Sequence, residues 1–319
     1  MVLTAIFITL IYLTLIGIFI FGFDKVPPFK LEDIPSKTKF SVIIPFRNEC
    51  ENLPELLKSI ESLNYPKHLF EIIFVDDDSD DDSIKIIKKV HNKSPLDCAQ
   101  VDIQIISNNR KTNSPKKDAI TSAINQAKNE WIITTDADCQ LPKFWLDSFD
   151  EFIQKNNAVC IAAPVIYNNE KSFLNRFQIL DILSLQGATI GGFGLNKPFL
   201  CNGANLGYKK STFINVNGFD GNTNIASGDD IFLLEKISKN FPKQLHYLKC
   251  EKAIVTTQSQ TTWSHLTSQR IRWAAKTSAY NNWFGKLTGL IVLLMNALII
   301  IGLILTLIGL LNLKTLFYH

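Results

Sequence analysis

Two uncharged stretches limit what this chain of 319 residues can fold into. Residues 2–23 contain no Asp, Glu, Lys or Arg, and neither do residues 287–313. Both runs exceed the roughly 18–20 apolar residues that cross a bilayer core of about 30 Å. Between them lies a segment of ordinary charge, large enough to bury a substantial core. The chain therefore reads as one domain held between two membrane helices, a division that its overall hydrophobic share of 46% conceals. The first run has no basic leading region and no small-x-small cleavage site, and its apolar core is long, which favours an uncleaved anchor over a signal peptide. The second, about 40 Å long as a helix, either tilts as one span or begins a re-entrant pair. Asn296 is its strongly polar interruption before Asn312.

Basic residues near membrane spans stay on the cytoplasmic side. Lys25 and Lys30 follow the first run, Arg270, Arg272, Lys276 and Lys286 precede the second, and the outer flanks offer Lys314. The expected organisation is a transmembrane helix over 1–23, a linker over 24–39, a cytoplasmic domain over 40–283, a transmembrane segment over 284–313 and a tail over 314–319, in the cell (inner) membrane. Cys50, Cys98, Cys139, Cys160, Cys201 and Cys250 are scattered without C-x-x-C spacing and read as reduced thiols. The histidines show no zinc-ligand spacing.

Within the middle segment, short apolar runs alternate with helical patterns. Residues 40–45 (FSVIIP), 70–75 (FEIIFV), 101–107 and 131–135 read as buried strands. Leu53, Leu56, Leu57, Ile60 and Leu63 fall at helical spacing behind Asn52 as N-cap and Pro54 in the first turn. Ala119, Ile120, Ala123, Ile124 and Ala127 mark another helix face. This alternation predicts an α/β, doubly wound parallel sheet, whose ligands gather at the carboxyl ends of the strands.

Acidic residues stand at those ends: Asp76, Asp77 and Asp78 after the second strand, Asp136 and Asp138 after the fourth. Asp136 and Asp138 share a face if the chain stays extended, and two carboxylates beside a buried strand invite a divalent cation carrying a phosphate ligand. A solvated turn is the plainer account of an isolated Asp-x-Asp. The first strand runs into PFRNE rather than G-x-G-x-x-G, which disfavours a nicotinamide site, and no phosphate-cradling G-x-x-x-x-G-K-[ST] occurs. The acidic run 76–83 (DDDSDDDS) fails as an EF-hand because Asp81 and Ile87 hold the positions that need Gly and Glu.

Taken in order, these elements resemble the family 2 glycosyltransferases, which have the GT-A fold, an α/β, Rossmann-like nucleotide-diphospho-sugar transferase architecture. The resemblance covers residues 40–273. It rests on SVIIPFRNE at 41–49, VDDDSDDDS at 75–83, SPKKDAI at 114–120, DAD at 136–138, NGANLGYKKSTFINVNGFD at 202–220, GDD at 228–230, and QRIRW at 269–273, the last similar to the Q-x-x-R-W motif of membrane-bound members. Two departures stand out. Ser114 and Pro115 replace glycines usual before Lys116, and Asn217 stands where a glycine pair is commoner before Phe219.

The resemblance implies a membrane-bound, inverting glycosyltransferase that uses a nucleotide-sugar donor, expected to be a UDP-sugar. Asp138 with Asp136 would hold Mg2+ or Mn2+ against the diphosphate. Pro45, Glu49, Asp77, Lys116 and Asp136 would contact the donor, with Asp77 on the base and Lys116 on a phosphate. Asp230, beside Asp229, would take the acceptor's proton. Both acids also suit the start of a helix near Ile231. Gln269, Arg272 and Trp273 would meet the acceptor and diphosphate, although Trp and Arg also serve as plain interfacial anchors.

The expected acceptor is lipid-linked or a polysaccharide in cell-envelope glycan synthesis. The apolar stretch 173–190 either lies on the membrane surface to admit it or forms an ordinary core helix. Membrane lipid and a partner membrane subunit are the other expected contacts, and nucleic acid is not. Two spans favour single-sugar transfer over a processive synthase, whose channel needs more. An Asp-x-Asp phosphatase expects Thr or Val where Gln140 stands. A non-catalytic scaffold would not need the full acidic set.

Overall fold

The computed structural model describes residues 2–91, 101–168, 171–277 and 279–309; Cys98 and the tail lie outside them. In chain order the first half comprises α1 (Val2–Lys25), β1 (Phe40–Phe46), α2 (Leu53–Glu61), β2 (Phe70–Asp76), α3 (Ser83–His91), β3 (Asp102–Ser107), α4 (Pro115–Gln126), β4 (Trp131–Thr134) and α5 (Trp145–Lys155). The second half comprises β5 (Cys160–Ala162), β6 (Val165–Tyr167), α6 (Phe173–Gly194), β7 (Leu206–Lys209), α7 (Lys210–Asn215), α8 (Asp229–Asn240), β8 (Leu245–Tyr247), β9 (Val255–Thr257), α9 (Trp263–Thr277) and α10 (Trp283–Leu307).

Seven strands form the main sheet in the order β3-β2-β1-β4-β7-β5-β8, and β6 pairs with β9 apart from it. β1 lies parallel between β2 and β4, with Ile43 opposite Ile73 on one side and Thr134 on the other. Such a strand is covered on both faces, which is why FSVIIPF is almost continuously apolar. Val42, Ile44, Phe74 and Ile133 face Leu53, Leu56, Trp145 and Phe149 on one side of the sheet. Ile43, Ile73 and Ile132 face Ala119, Ile120, Ala123 and Leu234 on the other.

The strand–helix alternation predicts a parallel sheet, and the sheet departs from this at one strand. β7 runs antiparallel to both β4 and β5. The long excursion through α6 returns the chain beside the carboxyl end of β4, so β7 enters from the side where β4 leaves. Asn52 also differs from expectation. It precedes α2, but its backbone is already helical and its amide donates to the Glu49 carboxylate at 2.7 Å instead of capping the helix.

The linker after α1 is pinned. Glu151 on α5 accepts the backbone N–H groups of Glu32 and Asp33 at 2.8 and 2.9 Å, and Asp150 accepts that of Thr38 at 2.9 Å. Lys249 donates to the carbonyls of Phe23 and Val26, holding the end of α1 and the residue after it. α1 crosses α6 through glycines. A Cβ on Gly191 would stand 2.6 Å from the Phe19 carbonyl oxygen, and one on Gly22 or Gly194 would overlap the opposing backbone. Phe19 also meets Phe199 and Phe284, which ties α1 to the start of α10. α1 and α10 are both long and apolar enough to cross a membrane.

Candidate active site

The strand order reverses direction between β1 and β4, and the crevice at such a point is where open α/β sheets bind ligands. β4 ends at Thr134, and the next residues leave the extended conformation. The Cys139 N–H closes onto the Asp136 carbonyl at 3.2 Å. Asp136 and Asp138 thus reach the crevice through a tight turn, not through the alternation of an extended strand, with Ala137 buried between them.

A cleft of about 330 Å3 opens here, lined by Pro45, Glu49, Asp77, Lys116, Asp136 and Asp138. Its floor is made by two loops knitted together. Asn48 N–H donates to Ser79 Oγ, Glu49 N–H to Ser83 Oγ at 2.9 Å, and Cys50 N–H to Asp81 Oδ2 at 3.0 Å, while Asn48 Oδ1 accepts from Asp80 N–H. The acidic run 76–83 is therefore a backbone-binding scaffold. Asn48 and Asp78 adopt left-handed conformations, at φ 55° and 65°, which short polar side chains tolerate.

Asp77 sits at one end of this cleft. Its Oδ1 accepts from Asn108 Nδ2 and Arg110 Nε, both at 2.6 Å, and Arg110 also reaches its carbonyl. Asn108 further donates to the Pro115 carbonyl, which links Asp77 to the start of α4. At the other end, Lys116 Nζ lies 2.5 Å from Asp136 Oδ1 and 3.8 Å from Asp229 Oδ2. Burial works to lower the pKa of this ammonium group, but the surrounding carboxylates of Asp136, Asp229 and Asp230 outweigh it, and the group is held above its ordinary value. Lys117, the next residue, is buried. It donates to the carbonyls of Asn222 and Ile225 and lies 4.8 Å from the Phe232 ring centre, fixing the segment that leads into α8.

Asp138 accepts from Thr257 Oγ1 at 3.0 Å. Burial, together with Asp136 nearby, pushes its pKa up, and burial with both of these acids does the same to Glu49. Carboxylates crowded in this way are stabilised as anions by a hard cation with oxygen ligands, so Asp138 and Asp136 suit a divalent metal.

Beyond Lys116 lies a second cavity of about 500 Å3. Lys116, Asp136 and Asp138 line both spaces. Asp229 and Asp230 enter the second from the first turn of α8, after Gly228 in a left-handed conformation at φ 81°. Asp230 Oδ2 accepts the Gly203 N–H at 3.2 Å and Oδ1 accepts the Ile231 N–H at 2.8 Å. Gly203 is closely fitted, since a Cβ there would stand 3.1 Å from Asp229 Oδ2.

Gln269 and Trp273 on α9 line this cavity. Arg272 is exposed and lines neither space. Arg270 turns inward instead, paired with Asp181 and stacked 4.2 Å from the Trp273 ring centre. Asn108, Arg110 and Thr257, which no motif assigns to the site, join it together with Gly203. Arg110 stands near Lys111, Lys116 and Lys117 in the sequence, and Gly203 lies within the 202–220 segment. Thr257 gives no signal.

The model for "Glycosyl transferase family 2" matches residues 41–216. The Staphylococcus aureus poly(ribitol-phosphate) beta-N-acetylglucosaminyltransferase TarS is 32% identical over 120 residues, 38% of this chain and 20% of that protein. An undecaprenyl-phosphate 4-deoxy-4-formamido-L-arabinose transferase from Pseudomonas savastanoi pv. phaseolicola is 38% identical over 110 residues, 34% of this chain and 31% of that protein. The chain thus spans less than a third of these relatives. Among solved structures, the mannosyltransferase PcManGT from Pyrobaculum calidifontis, in complex with GDP-Man and Mn2+, superposes with a TM-score of 0.62 at 16% identity, over 85% of this chain and 71% of that one. TarS 1–349 in complex with UDP superposes with a TM-score of 0.52 at 19% identity, over 70% and 61%. Both likenesses identify the fold as GT-A.

Proposed function

The chain belongs to glycosyltransferase family 2, and on that basis we propose that it transfers a sugar from a UDP-sugar to a lipid-linked or polysaccharide acceptor in cell-envelope glycan synthesis, with inversion at the anomeric carbon. The observation that carries this reading is the wall shared by the two cavities. Asp136, Asp138 and Lys116 border both, Asp77 stands in the smaller and Asp230 in the larger. Donor and acceptor can then meet at one place from opposite sides.

Asp77 holds the base, with Oδ1 occupied by Asn108 and Arg110. Pro45 and Glu49 border the nucleoside. Lys116 meets the diphosphate as a point charge. Mg2+ or Mn2+ held by Asp138 and Asp136 would supply Lewis-acid stabilisation of the charge on the leaving diphosphate. Asp230, held by the Gly203 and Ile231 N–H groups, takes the proton from the acceptor hydroxyl as its oxygen bonds to the anomeric carbon. One base and one displacement give inversion.

A lipid-linked acceptor is supported by the surface beside the larger cavity. α6 leaves Phe173 77% and Leu180 70% exposed, with Phe177, Leu183 and, on α9, Trp263 and Ile271 also exposed. Further along α6, Ile182 and Leu185 line the cavity itself. An apolar face of this kind suits a membrane surface. Two of the relatives are named for poly(ribitol-phosphate) and undecaprenyl phosphate. Lys25, Lys30, Arg270, Arg272 and Lys286 support a catalytic domain on the cytoplasmic face. Incubating membranes that contain the protein with a panel of nucleotide sugars, with Mn2+ or with a chelator, tests the proposal. Metal-dependent glycosylation of an extractable lipid or polymer is expected, and failure with every donor would overturn it.

A further inference from the structure

Some polar side chains of the two long apolar helices are satisfied within their own helix. Thr9, Thr14 and Thr306 each donate to a carbonyl one turn back in their own helix, at 2.9, 2.7 and 2.9 Å. Thr288 is buried against the rest of the protein, its hydroxyl without a hydrogen-bond partner among the described residues. Asn296 differs. It lies near the middle of α10, it is exposed, and its amide has no hydrogen-bond partner among the described residues. An amide in that position at the centre of a bilayer leaves donors and acceptors unsatisfied where no water can reach them.

The face that carries Asn296 is turned away from the rest of the molecule. α10 packs on α1 and on Phe199 through Phe284 and Ile291. At 3.6 residues per turn, Asn296 points about 140° around the helix from Ile291. Its neighbours on that face are Gly289, Val292, Ile299 and Leu303, and Ile299 and Leu303 are 56% and 51% exposed. These residues follow the alternating spacing of three and four that forms the seam of a left-handed helix pair, with the amide at its centre. A Cβ on Gly289 would meet nothing within 4 Å, so this position leaves room for a close backbone.

We propose that α10 pairs with α10 of a second copy of this chain through Asn296. A carboxamide is both donor and acceptor, so two of them satisfy each other across a two-fold axis. Two copies inserted in one membrane run parallel, which brings Asn296 to the same depth in both. A foreign helix would need its own polar group at that depth. The inference rests on the membrane reading of α10 and not on the sugar-transfer reading.

The test uses the full chain, co-expressed with two different tags and solubilised from membranes in mild detergent. Capture through one tag is expected to recover the other copy. Asn296→Leu should reduce this recovery about five-fold or more, whereas Asn296→Gln, which keeps the amide, should preserve most of it. Equal recovery for Asn296→Leu and the natural chain would overturn the proposal, as would capture of a different membrane protein in place of the second copy. Alkaline carbonate washing is run in parallel. Release of the chain would overturn the membrane reading with it, whereas retention without co-capture overturns the pairing alone.

Discussion

Lys116 Nζ lies 2.5 Å from Asp136 Oδ1 and 3.8 Å from Asp229 Oδ2, so one ammonium group joins the acid at the end of β4 to the acid at the start of α8. These two acids belong to opposite halves of the chain and border the same cavity. Without the lysine, Asp136, Asp138, Asp229 and Asp230 would border one cavity with no side-chain cation from the described residues lining it.

Replacing Lys116 by Met keeps the length of the side chain and removes its charge. We expect the rate of sugar transfer to fall by about two orders of magnitude, the scale of removing one preorganised electrostatic contact. The same variant should bind Mn2+ in the absence of donor more tightly than the natural protein, because the ammonium no longer competes for Asp136. Titration calorimetry with Mn2+ alone measures this second effect separately from turnover.

Asp230→Asn keeps the side chain's shape but removes the proposed proton acceptor. Transfer should drop about 100- to 10,000-fold, while UDP affinity stays within a few-fold, since Asp230 borders only the larger cavity. Asp229→Asn should lose less, because Asp229 faces Lys116. Matched turnover and nucleotide-binding measurements on both variants would distinguish the two roles, and equal turnover in Asp230→Asn would remove it as the base.

Gly194 lies where α6 passes α1, and a Cβ there would overlap the Gly22 backbone. Gly194→Val should force the two helices apart at a cost of about 1–3 kcal/mol. A lower thermal midpoint in detergent is the expected result. Gly17, which has open space around it, is the control position.

Asp81 binds the Ser83 and Cys50 backbone N–H groups, and these hydrogen bonds, with the Ser83 side chain contributing most, lower its pKa from 3.8 to about 2. A carboxylate depressed on folding stabilises the native state above its unfolded pKa, and that contribution fades as the pH falls from about 4 toward 2. Asp81→Asn should therefore unfold earlier than the natural protein at pH 6, and the difference should shrink through that acidic window. Thermal midpoints recorded across the pH series would show a constant gap if Asp81 had no such role.

Most of the elements follow from the order of residues alone. Residues 40–46 and 131–134 read as covered strands because they carry a nearly continuous apolar run, and residues 2–23 read as a candidate membrane span because they are long and uncharged. Asp77, Asp136, Asp138 and Asp230 stood out as candidates because each lies in a motif that can be read over a few residues. Side-chain partners over long range were not legible in the same way. Arg110 reaching back to Asp77, Lys116 bridging Asp136 and Asp229, and Thr257 bound to Asp138 join residues 33, 20, 113 and 119 positions apart. Nothing local records which of many polar groups will meet. The reversal of β7, the choice of Arg270 over Arg272 as the inward arginine, and the glycine crossing of α1 with α6 are likewise decided by packing. Each is fixed only when several elements compete for the same space, and periodicity along one segment carries no information about that competition.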